Sequence, residues 1–154
     1  MPEFCLEGRD SRDFRELPEM LRGYIEAAFF TAPRPGEYGD DSEADSAAIP
    51  EEYGFPDLAP DALESMRADV ERFALENAAA VETLTAGSFD LEQIGRDFWF
   101  TRNHHGVGFW DRDADGDADG DAEKTALDCL DTAARTYGET DLIRGDDSAV
   151  YVSP

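Results

Sequence analysis

Fifteen residues, Asp97-Phe98-Trp99-Phe100-Thr101-Arg102-Asn103-His104-His105-Gly106-Val107-Gly108-Phe109-Trp110-Asp111, hold both tryptophans, both histidines and three of the ten phenylalanines of this 154-residue chain. The fold has to accommodate that ring surface, because each large aromatic carries roughly 150–250 Å² that dominates core energetics. Two aromatic runs flank a polar Asn-His-His-Gly centre, a pattern that predicts a β-hairpin closed by a loop. On such a strand Phe98, Phe100 and Arg102 share one face, and Asp97, Trp99 and Thr101 share the other. Val107 and Phe109 oppose Gly108 and Trp110 on the return. Rings on both faces predict either a sheet covered on both sides, the simpler reading, or one face that meets a partner. The partner surface would then comprise Trp99, Arg102, Asn103, His104, His105 and Trp110. Gly106 and Gly108 allow positive φ at the turn or a bulge.

The histidines invite a catalytic reading. A loop-borne His104 or His105 beside Asp97, Asp111 and Arg102 has the composition of a general-base site for hydrolysis or phosphoester chemistry. Adjacent histidines are a poor metal pair, because neighbouring side chains of an extended segment point apart. No third histidine exists to complete a zinc site, and no serine or cysteine elbow accompanies them. Ordinary loop residues are the simpler assignment. We therefore assign no catalytic residue and expect a non-enzyme, with a small hydrolase-type enzyme using the 102–111 hairpin loop as the alternative.

Next comes Asp111-Arg112-Asp113-Ala114-Asp115-Gly116-Asp117-Ala118-Asp119-Gly120-Asp121, in which Asp-x-Asp-x-Asp-Gly occurs twice. Alternate carboxylates around a turn glycine are half of a calcium loop, so Asp111, Asp113, Asp115, Asp117 and Asp119 are weak metal candidates. The twelfth position, which should supply a bidentate glutamate, is Ala122 in one register and Ala126 in the other. Weak, hydrated calcium binding fits this pattern; an EF-hand does not. The expectation is no cofactor, with a calcium-stabilised structural protein as a further alternative.

Helical periodicity places a first helix from about Pro18 to Ala32, with Leu21, Tyr24, Ile25, Ala28 and Phe29 on one stripe. A second runs from Pro60 or Asp61 to Gly87, carrying Leu63, Met66, Val70, Phe73, Ala74, Val81 and Leu84, with Asn77 as its one polar interruption. A short helix over Asp90–Gly95 turns Leu91 and Ile94 inward. A third long helix spans about Asp121 to Tyr137, its inner face being Ala126, Leu127, Leu130, Ala134 and Tyr137. Cys129 is expected to be a buried thiol in that stripe, and Cys5 exposed. A closing hairpin pairs Leu142-Ile143 with Val150-Tyr151-Val152. The predicted fold is α+β: a single domain over 1–154, with about three main helices packed on a small antiparallel sheet of two hairpins. Residues 33–58 are expected to be a mobile acidic loop; its 37–57 portion has eight acids and no base. Tyr53 and Phe55 are candidates to pin its far end.

Charge narrows the partners. With 37 acids against 13 bases the formal net charge is −24, which repels nucleic acid and anionic membranes. Lys124 is the only lysine. A carboxylate-rich, lysine-poor surface fits adaptation to a salt-loving host, and less well a phosphate-mimicking inhibitor of a nucleic-acid-binding protein, since fifteen of the acids sit in the loops 37–57 and 111–123. No signal peptide is visible at the start, and the apolar patch around Ala27-Ala28-Phe29-Phe30 is too short to cross a bilayer. A soluble protein of the host cytoplasm is expected.

The run Asp97-Phe98-Trp99-Phe100-Thr101-Arg102-Asn103-His104-His105-Gly106-Val107-Gly108-Phe109-Trp110-Asp111, followed by Ala134-Arg135-Thr136-Tyr137-Gly138 and by Asp141-Leu142-Ile143-Arg144-Gly145-Asp146-Asp147, resembles a family of small bacteriophage-encoded proteins of unknown function. That family has an Asp-Phe-Trp-x-Thr-Arg-Asn-x-His-Gly-x-Gly-Phe-Trp-Asp segment. The chain departs from it at Ile143 and Ser148, where the family has Tyr and Gly, and in a longer Asp-rich loop. The resemblance implies a viral or proviral origin and transfers no activity. Together with the charge it leads to one expectation: a non-enzymatic viral accessory protein that binds a host or viral protein, as an inhibitor of a defence or nucleic-acid-handling system.

Overall fold

The computed structural model describes residues 12–32, 49, 53–87, 89–104, 108–109, 121–145, 147 and 149–152. Among these the chain is mostly helical: α1 (Arg12–Arg15), α2 (Glu19–Thr31), a 3-10 turn (Phe55–Asp57), α3 (Pro60–Glu76), α4 (Ala78–Thr85), α5 (Leu91–Arg102) and α6 (Asp121–Arg135). They precede a single antiparallel pair, β1 (Leu142–Arg144) and β2 (Val150–Val152). The register is Leu142 with Val152, Ile143 with Tyr151 and Arg144 with Val150.

Among the described residues, six helices and one two-stranded sheet replace the expected three main helices on two hairpins. The difference lies in the aromatic segment, whose first half is the end of a helix and not a strand. Asp90 caps that helix by accepting a hydrogen bond from the Gln93 amide at 2.8 Å. Leu91, Ile94, Phe98 and Arg102 then continue at helical spacing, so the short helix foreseen over 90–95 runs on to Arg102. Every residue from Asp97 to Arg102 is buried. A segment buried on all sides lies in the interior, where its rings face several neighbours at once. That explains the large rings on both faces of the supposed strand.

A second correction is at Asn77. Its side-chain amide donates to the Phe73 carbonyl at 2.9 Å, and its backbone leaves the helical region at φ −121°, ψ 28°. Asparagine competes in this way with the helical ladder, so the expected second helix is two, α3 and α4. Cys129 is exposed rather than buried, because the inner stripe of α6 runs through Ala126, Leu127, Leu130 and Ala134; Cys5 lies outside the described residues.

The core is organised by the α2–α5 pair. A Cβ on Gly23 would overlap the Glu92 carbonyl oxygen, and one on Gly95 would overlap that of Met20, so the backbones meet where neither residue has a side chain. Around this crossing Phe98 stacks on Phe73 at 4.0 Å, while Tyr24 meets Trp99 edge-on at 5.2 Å. Helix α6 packs on α4 and α5. Strand β2 joins the other half of the chain through a parallel bridge to Leu58, and the Ala59 amide donates to the Val150 carbonyl at 2.9 Å. Most of the acidic stretch 33–58 lies outside the described residues. Within it Ile49 is buried, and Tyr53 and Phe55 pack half-buried against the core. None of the described helices is long and apolar enough to cross a membrane.

Candidate functional site

The polar residues of the aromatic segment divide at the end of α5 between the interior and the rim. Trp99 is fully buried and donates from Nε1 to Thr31 Oγ1 at 2.8 Å. Thr31 Oγ1 in turn donates to the Ala27 carbonyl, so the indole ties α5 to the last turn of α2. The ring is closed off from solvent.

Arg102 is also buried. Its Nη1 donates to Tyr24 Oη and to Asp69 Oδ2, both at 2.9 Å; its Nε donates to the Gly138 carbonyl at 2.9 Å and its Nη2 to the Tyr137 carbonyl at 3.1 Å. The Tyr137 ring lies 5.5 Å from the guanidinium carbon. One cation thus joins α2, α3, α5 and the turn after α6, where the last carbonyls of a helix attract positive charge. Burial pushes the Tyr24 phenol well above its ordinary range, an effect partly offset by the positive charge of Arg102. Burial also raises the Tyr137 phenol, with the charge of Arg72 acting in the opposite direction.

Asn103 closes the helix. Its Nδ2 donates to the Trp99 carbonyl at 3.0 Å, and its Oδ1 accepts from the Thr140 amide at 2.8 Å. His104 follows with φ +56°, the left-handed conformation common just beyond a helix cap, which costs a non-glycine residue about 1–2 kcal/mol. The half-exposed imidazole has Nδ1 3.2 Å from Arg135 Nη1. A guanidinium can only donate, so this contact makes Nδ1 the acceptor and places the ring proton on Nε2, facing Glu139 Oε1 at 3.8 Å. Arg135 is itself held by Asp131 at 2.9 Å. The result is a polar rim of Asp131, Arg135, His104 and Glu139. Just past it Phe109, fully buried, returns to α5 by donating its amide to Thr101 Oγ1 at 3.1 Å. Gly108 (φ +149°) makes this approach possible, since a Cβ there would overlap that oxygen.

Comparison of the chain with protein-family models, with curated proteins and with solved structures gives no match.

Of the residues singled out from sequence, the structure brings Trp99, Arg102, Asn103 and His104 to one helix end, the first two inside and His104 outside. His105, Trp110 and the metal candidates Asp111, Asp113, Asp115, Asp117 and Asp119 lie outside the described residues. Among the described residues no group of three or more His, Cys, Asp or Glu is placed to hold a metal ion. Sequence reasoning missed Tyr24 and Asp69 as partners of Arg102, and Asp131, Arg135 and Glu139 as the rim. Their only signal was position on helices that had already been recognised or, for Glu139, just beyond the end of one.

Proposed function

We propose that this chain is a non-enzymatic accessory protein of a phage or archaeal virus that binds a host or viral protein, with the rim His104–Arg135–Glu139–Asp131 as its contact surface. The observation that supports this reading most is preorganisation. Arg102 and Asn103 anchor the backbone behind the rim at Tyr137, Gly138 and Thr140, so the segments that carry it are held before any partner arrives, which lowers the ordering cost of association. The viral origin rests on the likeness of the 97–111 segment to small phage proteins. A basic face on the partner suits the net charge of −24. An inhibitor of a nucleic-acid-handling machine would meet that requirement, because such machines present basic surfaces. A close phosphate mimic is the less favoured form, since arginines interrupt the helical acids at Glu64–Arg67, Arg72–Glu76 and Asp131–Arg135.

The test is affinity capture of the tagged protein from host lysate at low and high salt, run beside the double variant His104→Asn/Arg135→Gln. Asparagine tolerates the left-handed backbone, so the fold is kept while the rim is altered. A stoichiometric partner held by the wild type and lost by the variant is the expected result. No stoichiometric partner at either salt, or equal capture by the variant, would sink the assignment.

A further inference from the structure

Of the four rim residues, His104 has the side-chain type that changes charge within the pH range of cells. Its ring stands between two charged neighbours. Nδ1 lies 3.2 Å from Arg135 Nη1 of α6, and Nε2 lies 3.8 Å from Glu139 Oε1 in the turn that follows that helix. Asp131 grips Arg135 from behind, with Oδ2 2.9 Å from Nε and Oδ1 3.4 Å from Nη2. Arg102, two residues earlier in the chain, points into the core instead, towards Tyr24 and Asp69. The two contacts of the imidazole demand opposite protonation states. A guanidinium only donates, so the Arg135 contact exists only while Nδ1 keeps its lone pair. Glu139 is too far for a hydrogen bond to the neutral ring, and becomes an ion-pair partner only once the ring is charged.

We infer that His104 is a pH-operated latch on the rim: the neutral ring holds Arg135, and the protonated ring lets it go and closes on Glu139. Protonation sets a second donor and a like charge against the guanidinium, so that contact turns repulsive. Arg135 has a place to stay, because Asp131 on its own helix holds it through two nitrogens. Glu139 also stays within reach. Asn103 Oδ1 accepts from the Thr140 amide at 2.8 Å, which keeps the turn beside His104 in either state. The exchange changes the field of the rim as well as its shape. With His104 neutral, two carboxylates outnumber one guanidinium; with His104 charged, the two signs balance. What the latch regulates rests on the rim being the contact surface: a partner with a basic face is gripped while the ring is neutral and released when it is charged.

The test is NMR of the full chain, labelled with 15N and 13C, between about pH 8 and about pH 5. At the upper end the His104 ring, assigned by its disappearance in His104→Asn, should show the tautomer with its proton on Nε2. As pH falls, the Arg135 Nε signal and the Glu139 side-chain carboxyl carbon should each show a step with the same midpoint as the ring. Both steps should vanish in His104→Asn, which keeps the left-handed backbone and should leave the amide signals of α5 and α6 in place. A proton on Nδ1 at the upper end overturns the latch. So does an Arg135 or Glu139 signal that fails to follow the ring, or a step that persists in His104→Asn. The readout needs no partner. A failed latch therefore leaves the capture experiment standing, and a rim that captures nothing leaves the latch standing.

Discussion

Arg102 has four hydrogen-bond acceptors on three other parts of the chain, and two of them are backbone carbonyls. Removing the guanidinium takes its donors from a buried phenol oxygen and those carbonyls, while Asp69, about a third exposed, turns to water. Arg102→Met should therefore cost about 3–5 kcal/mol in urea unfolding, and Arg102→Lys should recover only part of it, since one ammonium cannot span the four acceptors. A loss below about 1 kcal/mol, the scale of an ordinary hydrogen bond, would show that the cation is not the joint it resembles. Tyr24 gives a pH test of the same cluster. Its folded phenol holds its proton more tightly than the unfolded one, whose ordinary value is 10.0. Stability from this group is thus complete below pH 10.0 and is lost as pH rises through the folded value. Unfolding free energy should fall above pH 10.0, until the folded value is passed, by up to about 1.4 kcal/mol per pH unit for such a group. Tyr24→Phe should flatten the decline relative to its own neutral-pH value, leaving the contributions of Tyr137 and of Tyr151, whose phenols are raised in the same direction. An unchanged slope would contradict the raised phenol.

At the scale of elements the α2–α5 crossing decides the geometry. A methyl at Gly95 meets the Met20 carbonyl in the interior, whereas one at Gly138 meets nothing and faces only its left-handed φ of +74°. Gly95→Ala should cost about 1–3 kcal/mol or more by overpacking, and Gly138→Ala about 1–2 kcal/mol by backbone strain alone. Thermal melts should rank Gly95→Ala as the less stable; the opposite order would mean the helices can move apart cheaply. Helices α2 and α6 and the β1–β2 pair were legible because one-sided burial writes its period into the sequence. Helix α5 was not. With burial all round, its alternation of rings and polar groups has no one-sided period, and a short apolar run of that kind reads equally as a covered strand. Asn77 was visible as an exception, but its consequence, a broken helix, depends on a hydrogen bond to Phe73 that spacing does not reveal. Of the candidate site, His104 and Asn103 were found from composition, while Arg135 and Glu139 join them only because two helix ends meet in space.

For the whole molecule, a net charge of −24 is a field as well as a composition. Self-repulsion opposes the compact state, and it is screened over about 10 Å at 0.1 M salt and about 3 Å at 1 M. The melting temperature should therefore climb as sodium chloride rises from low concentration towards 1 M, with potassium chloride acting alike; a flat response would mean that the same-helix arginine pairs already neutralise the field. The joints between the two sides of the chain have a different consequence. Arg102 to Tyr137 and Gly138, Asn103 to Thr140, Leu58 and Ala59 to Val150, and α4 against α6 all link residues before 105 to residues after 120 without using the backbone between them. The protein is in this sense already a heterodimer written on one strand. Expressed as two separate polypeptides divided between residues 110 and 120, its halves should find each other and rebuild the contacts that join them, at a cost set by the lost effective concentration.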